Sequence, residues 1–215
     1  MSAAEPRHPV HHDEALARLR AGNARFMDDV RSDEAPASQR RRDALVEGQA
    51  PFAIVLSCSD SRVPSELVFD CGLGDLFVVR VAGNVVAPSI VGSIEFAAAT
   101  FGTELVVVMG HTRCGAIAAS IDALSGGDHH PSENVRDIVD RIAPSIAELV
   151  RDHAPGEGLN HAATRANVRA SANHLRHGSR IIEDRIAQRR LVVVGSEYDL
   201  ESGEVHFFDV PPSLL

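Results

Sequence analysis

Four short runs are apolar almost without interruption: 53–56 (AIVL), 77–81 (FVVRV), 105–109 (LVVVM) and 191–194 (LVVV). A strand with one wet face alternates apolar and polar residues. These runs do not, so they read as strands covered on both faces, as parallel strands are. Helical patterns follow or separate them at 89–101, 114–124, 135–151, 162–176 and 179–188. The β-α-β-α order predicts an α/β fold, with four parallel strands joined by right-handed crossovers and flanked by helices. A fifth strand at 205–208 follows the turn-forming Glu201-Ser202-Gly203 and is expected antiparallel at the sheet edge.

Upstream, Leu16, Leu19, Phe26 and Met27 fall near helical spacing over 13–28, and the charged stretch DDVRSDEAPASQRRR follows. The pattern predicts an N-terminal helical arm within 1–48, expected to pack on a partner subunit. Packing on its own domain is the other outcome the spacing allows. A chain of 215 residues with 44% hydrophobic content is accounted for by one core, so a single domain over 1–215 is expected. Residues 126–131 (GGDHHP) read as a loop, not a domain linker.

The net charge of −9, with basic residues scattered among acidic ones, argues against a nucleic-acid partner. No apolar run approaches the roughly 20 residues that cross a bilayer. The first residues lack the apolar core of a signal peptide, so no membrane association and a cytoplasmic location are expected. Three cysteines are too few for a disulfide framework; in a reducing compartment they point to a metal, a catalytic thiol or packing.

Open parallel sheets bind ligands beyond the carboxyl ends of their strands, where strand order reverses. Two such ends carry chemistry: Ser57-Cys58-Ser59-Asp60-Ser61-Arg62 after AIVL, and Gly110-His111-Thr112-Arg113-Cys114-Gly115 after LVVVM. Cys58, His111 and Cys114 supply two thiolates and an imidazole, a ligand set that suits Zn²⁺ better than a hard cation. Each cysteine alone would read as a packed small hydrophobe. Packing does not call for two ligand-rich loops at two strand ends, each with a cysteine. Three protein ligands leave a fourth position open, which marks a catalytic rather than a structural zinc site. Asp60 and Arg62 lie two apart, so in an extended segment they point the same way and can form a two-pronged ion pair. Paired, Asp60 stays off the metal; released, it becomes a fourth ligand.

These residues resemble the β-carbonic anhydrase pattern: Cys58-Ser59-Asp60-Ser61-Arg62, then His111-x-x-Cys114-Gly115, with Gly72-x-Gly74-Asp75-Leu76-Phe77-Val78-Val79-Arg80, Gly83-Asn84-x-Val86 and Val194-Gly195-x-x-Tyr198 around them. The resemblance spans nearly the whole chain. It implies a zinc enzyme, one Zn²⁺ per subunit, assembled as a homodimer or homotetramer. The implied reaction is reversible hydration of CO₂ to bicarbonate and a proton by a zinc-bound hydroxide. It implies catalytic roles for Asp60 and Arg62, a substrate hydrogen bond from Gln49 across a dimer interface, and an apolar substrate wall of Phe77, Ala82 and Phe96. Phe96 stands where many members carry tyrosine. Arg80 and Tyr198 resemble two residues of a bicarbonate-gating pocket; Val55 replaces the tryptophan expected as the third, and the chain has no tryptophan. Two thiolate ligands should weaken the metal's effect on water, so activity is expected to favour alkaline pH.

Two other readings fit the same residues: a CS₂ or COS hydrolase on this scaffold, and a non-catalytic zinc-stabilised binding module with Asp60 as permanent fourth ligand. A dithiol redox protein fits less well, since Cys58 and Cys114 lack a Cys-x-x-Cys arrangement. Cys71 reads as a packed thiol. His11, His12, His129 and His130 sit in polar stretches and read as solvated, and His153, His161, His174 and His177 have no evident ligand partners. Gly72-x-Gly74 is too short for a dinucleotide fingerprint.

Overall fold

The computed structural model describes residues 9–31, 37–127 and 132–211. His129 and His130 lie outside these residues, as does most of the 126–131 loop. Five strands, β1 (Ala53–Ser57), β2 (Leu76–Arg80), β3 (Leu105–His111), β4 (Val192–Tyr198) and β5 (Val205–Asp209), form one sheet in the order β2-β1-β3-β4-β5. The first four are parallel, as the apolar runs predicted, and β5 runs antiparallel to β4, as the Glu201-Ser202-Gly203 turn suggested. Eight α-helices accompany them among the described residues: α1 (His12–Met27), α2 (Gln39–Leu45), α3 (Ser65–Val68), α4 (Pro88–Phe101), α5 (Gly115–Leu124), α6 (Glu133–Asp152), α7 (Glu157–His177) and α8 (Arg180–Ala187).

Both faces of the sheet are covered, which is why its strands read as apolar throughout. Ala53 and Val55 of β1 and Val107 and Met109 of β3 pack under α1. Their alternates Ile54, Leu56, Val106 and Val108 pack with Ile94 and Ala97 of α4, Val168 and Leu175 of α7, and Ile182 of α8. A third cluster, Ile117, Ile121, Ile142, Ile146 and Leu159, lies around Cys58 and Cys114 where α5, α6 and α7 meet.

The two helices of the N-terminal arm behave differently. In α1, Leu16 and Leu19 are buried on the chain's own sheet, each contributing about 1.5–3 kcal/mol. Asn23 then ties the helix to the far edge: its Nδ2 donates to the Gly203 carbonyl at 2.8 Å, and its Oδ1 accepts from the Val205 N–H at 2.8 Å. The apolar spacing is thus met within the chain at Leu16 and Leu19 and in part at Phe26, whereas Met27 is 42% exposed. By contrast α2 buries none of its residues, and the adjoining Val46 is 78% exposed.

Some boundaries differ from the expected ones for a physical reason. β3 and β4 extend past their apolar runs because backbone pairing continues in register from Met109↔Ser196 to His111↔Tyr198, through residues whose side chains break the pattern. Gly110 lies in this extension. A Cβ there would sit 2.7 Å from Val168 Cγ2, so glycine allows α7 to approach the sheet. α2 and α3, of seven and four residues, are too short to show a helical period.

Candidate metal centre

The strand order reverses between β1 and β3, and their carboxyl ends deliver the two motifs to one place. Cys58 follows β1 directly, His111 is the last residue of β3, and Cys114 is the N-cap of α5. Arg113 takes a left-handed φ of 55°, which turns the chain from strand to helix within His-x-x-Cys. Cys58, His111 and Cys114 each offer a ligand atom within 4.8 Å of the others. The two sulfurs are 4.0 Å apart, close to the roughly 3.8 Å that two 2.3 Å zinc–thiolate bonds at tetrahedral angles would give.

The imidazole passes a sharper test of fit. His111 is fully buried, its Nδ1 is 2.9 Å from the Thr112 carbonyl, and its Nε2 has no partner. A proton on Nδ1, donated to that carbonyl, leaves the Nε2 lone pair free beside the two sulfurs, as metal-ligating histidines are held. The thiols add a charge argument. The Cys114 hydrogen bond pulls the Cys58 thiol well below its usual pKa against the opposing effect of burial, helped by His111 and by the backbone N–H groups of Asp60 and Gly83. Cys114 is pushed up, by Cys58 first and then by burial. Two buried thiols this close do not both ionise unaided; a dication between them removes the conflict. Gly83 sits at φ 66°, and its N–H points at Cys58 Sγ at 3.4 Å.

Asp60 borders this trio, with Oδ2 3.9 Å from His111 Nε2. Arg62 holds both of its oxygens: Nε donates to Oδ1 at 2.9 Å, Nη2 to Oδ2 at 2.7 Å, and the Arg62 backbone N–H to Oδ1 at 2.9 Å. The Arg62 hydrogen bonds keep the Asp60 carboxyl far below the ordinary carboxylate range, so it is ionised at any physiological pH. Arg80 takes a position that motif reading alone did not suggest. Its Nε donates to the Cys58 carbonyl at 2.9 Å and its Nη2 to the Asp60 carbonyl at 2.6 Å, bracing the loop that carries both residues. Tyr198 lies opposite His111 in the β3–β4 register and is 5% exposed; Val55 is fully buried in the same α1-side layer.

Of the remaining predicted residues, Gln49, Phe77 and Phe96 are not gathered around the trio within one chain, whereas Ala82 adjoins it through Gly83. Gln49 is exposed and precedes β1, whereas Cys58 follows it, so about 13 Å of strand lies between them. Phe77, on the edge strand β2 opposite Ile54, packs its ring tilted against Phe96 and Phe101 of α4 at centroid distances of 6.4 and 6.1 Å. Phe77 is three residues before Arg80, about 10 Å along the strand. Phe96 is 54% exposed. Ala82 lies beside Gly83 in the 3-10 turn Ala82–Asn84. Cys71 stands outside the trio, its Sγ donating to the Phe69 carbonyl at 3.3 Å. Among the histidines assigned no partner from sequence, His161 meets the buried Glu197 at 2.9 Å.

A mostly parallel α/β sheet with this Cys-His-Cys group at its topological switch point and a clamped carboxylate beside it defines a metalloenzyme. A family model described as carbonic anhydrase matches residues 53–205. Carbonic anhydrase 2 of Mycobacterium tuberculosis is 40% identical over 191 residues, covering 88% of this chain and 89% of that one. The carbonic anhydrase of Mycolicibacterium smegmatis is 40% identical over 199 residues, covering 89% and 90%. Among solved structures, the β-carbonic anhydrase CcaA superposes with a TM-score of 0.71 at 25% identity, over 91% of this chain and 92% of that one. The chain belongs to the β-carbonic anhydrase family.

Proposed function

We propose that the protein catalyses the zinc-dependent, reversible hydration of CO₂ to bicarbonate and a proton, with Cys58, His111 and Cys114 as its metal ligands. The observation that carries this reading is the orphaned, buried His111 Nε2 facing two close sulfurs, with the Asp60 carboxylate clamped next to it. Zinc held there would supply a Lewis acid that lowers the pKa of water and so yields a nucleophile, less strongly with two thiolate ligands than with imidazoles, which favours alkaline pH.

The chain's own residues do the rest. The Thr112 carbonyl fixes the His111 tautomer. Arg62 keeps Asp60 ionised and aimed, so that Asp60 Oδ2 accepts a hydrogen from the attacking water and turns a lone pair toward the carbon of CO₂. Phe77, Ala82 and Phe96 form an apolar wall for a non-polar substrate, and Gln49 donates to the CO₂ oxygen on which negative charge develops. Gln49 lies at the opposite end of β1 from its own Cys58, and Phe96 is exposed on helix α4 beside the edge strand β2. Both facts favour a homodimer, or a tetramer of dimers, in which these groups serve the site across an interface. The exposed α2 is the part of the arm available to a partner. A sulfur-ligated site of this kind needs reduced thiols, which supports a cytoplasmic location. Arg80 and Tyr198 are retained as bicarbonate-gating residues, with Val55 in place of the third.

Cys58→Ser and His111→Ala are the decisive variants. Both should lose stoichiometric zinc and CO₂ hydration by stopped-flow assay, and full activity in either would overturn the ligand assignment.

A further inference from the structure

His12 departs from the solvated reading that its polar surroundings suggested. It is 8% exposed, and its Nδ1 is buried without a hydrogen-bond partner. Among the described residues, the only other buried histidine nitrogen orphaned in this way is His111 Nε2 of the metal centre. The surroundings of His12 are also those of a ligand set. His11, His12 and Asp13 each offer a ligand atom within 4.8 Å of the others, the same bound that Cys58, His111 and Cys114 meet. Asp13 Oδ1 is 3.3 Å from His12 Nδ1, and Asp13 Oδ2 is 3.2 Å from His11 Nδ1. Two ligands on one ion with bonds near 2.0–2.1 Å stand about 3.4 Å apart at tetrahedral angles, so each separation is of coordination size, with one Asp13 oxygen facing each imidazole. His11 Nδ1 accepts the Asp13 N–H at 3.4 Å, a long cap bond that an ion on this nitrogen would replace. The two imidazole rings lie 3.9 Å apart.

We propose that His11, His12 and Asp13 form a second metal site, for a borderline first-row divalent cation such as Zn²⁺ or Ni²⁺. Two imidazoles and one carboxylate suit such ions, whereas Mg²⁺ and Ca²⁺ take oxygen sets. The site lies at the start of α1 on a cavity of about 520 Å³ that is also lined by His177, Arg176 and Leu191. Leu191 precedes β4, so this is the opposite end of that strand from Tyr198 and the catalytic trio. Two arginines line the same cavity: Arg176, neutralised by Asp209 at 3.0 Å, and Arg189, whose charge opposes a cation and is outweighed by direct coordination. The positive end of α1 opposes a cation there, but that is a weak, screened effect beside direct coordination by imidazole. A bound ion would fasten the first turn of α1, with its orphaned His12 nitrogen satisfied.

The test is a calorimetric titration of the zinc-loaded enzyme with Ni²⁺, with zinc content measured before and after. The expected result is a single Ni²⁺ bound per chain while the catalytic zinc stays in place. Asp13→Asn and His11→Ser each alter an exposed side chain, and the serine preserves the ability to cap α1. Each should weaken Ni²⁺ binding about ten-fold or more while leaving CO₂ hydration unchanged. Equal Ni²⁺ affinity in the parent and both variants would assign binding to other histidines and overturn the proposal, as would no Ni²⁺ binding to the zinc-loaded enzyme.

Discussion

Arg62 grips both carboxylate oxygens of Asp60, through Nε at 2.9 Å and Nη2 at 2.7 Å, while Asp60 Oδ2 remains 3.9 Å from His111 Nε2. The carboxylate is therefore next to the metal ligands and yet committed to the guanidinium. Asp60→Ala should retain one zinc per chain and lose about 10²–10⁴-fold in hydration rate, the range for removal of a positioned acid–base group. Metal analysis combined with stopped-flow kinetics checks both halves; a fully active variant would make Asp60 purely structural.

Arg80 contributes through backbone carbonyls instead of through the reacting atoms. Its removal strips the carbonyls of Cys58 and Asp60 of a charged donor. Arg80→Ala should cost about 1–3 kcal/mol of stability, measured by urea unfolding, and weaken zinc binding about 10–100-fold in a chelator competition. Arg80→Lys should recover little, because an ammonium lacks the planar fork that reaches two carbonyls. Parent-like zinc retention in Arg80→Ala would show that the loop holds its shape unaided.

Cys71 gives a pH dependence with a definite sign. Burial, reinforced by Asp75 and Asp70, pushes its thiol up to about 12 in the folded chain. An unfolded thiol ionises near 8.5, so between roughly pH 9 and 12 the unfolded chain has lost a proton that the folded chain keeps. The Cys71 contribution to stability is complete below that window and declines as pH rises through it. In urea unfolding, Cys71→Ala should lose less stability between pH 8 and 10 than the parent does, to the extent about one proton allows. Iodoacetamide should also label Cys71 in the folded, zinc-loaded enzyme more slowly than a free thiol at pH 8. Rapid labelling would contradict the burial argument.

Gly110 and Val168 form a packing pair that can be tested by compensation. Gly110→Ala places a Cβ 2.7 Å from Val168 Cγ2 and 3.0 Å from Thr164 Cγ2, and should destabilise the fold by about 1–3 kcal/mol. Adding Val168→Ala should return part of that loss, seen as a positive coupling in a double-mutant cycle. Simple additivity of the two changes would mean that α7 shifts instead of clashing.

The continuous apolar runs at 53–56, 105–109 and 191–194 were sufficient to determine doubly covered parallel strands, because burial on both faces leaves its mark on every residue. The two motifs were equally legible, since ligand chemistry resides in residue type and short spacing. Distances across the fold are not written locally. That Cys58 lies 4.0 Å from Cys114, fifty-six positions on, depends on β1 and β3 being neighbours at the switch point. The same limit explains the rest. The spacing of Leu16 and Leu19 specified an apolar helix face, but only packing decided that it covers the chain's own sheet. Gln49 is nine positions from Cys58, yet an intervening strand sets them at opposite ends. His12 looked solvated until the fold buried it. Sequence by itself determined the strands and the ligand types; tertiary structure decided which surfaces and side chains meet, because that depends on how separate segments pack in three dimensions.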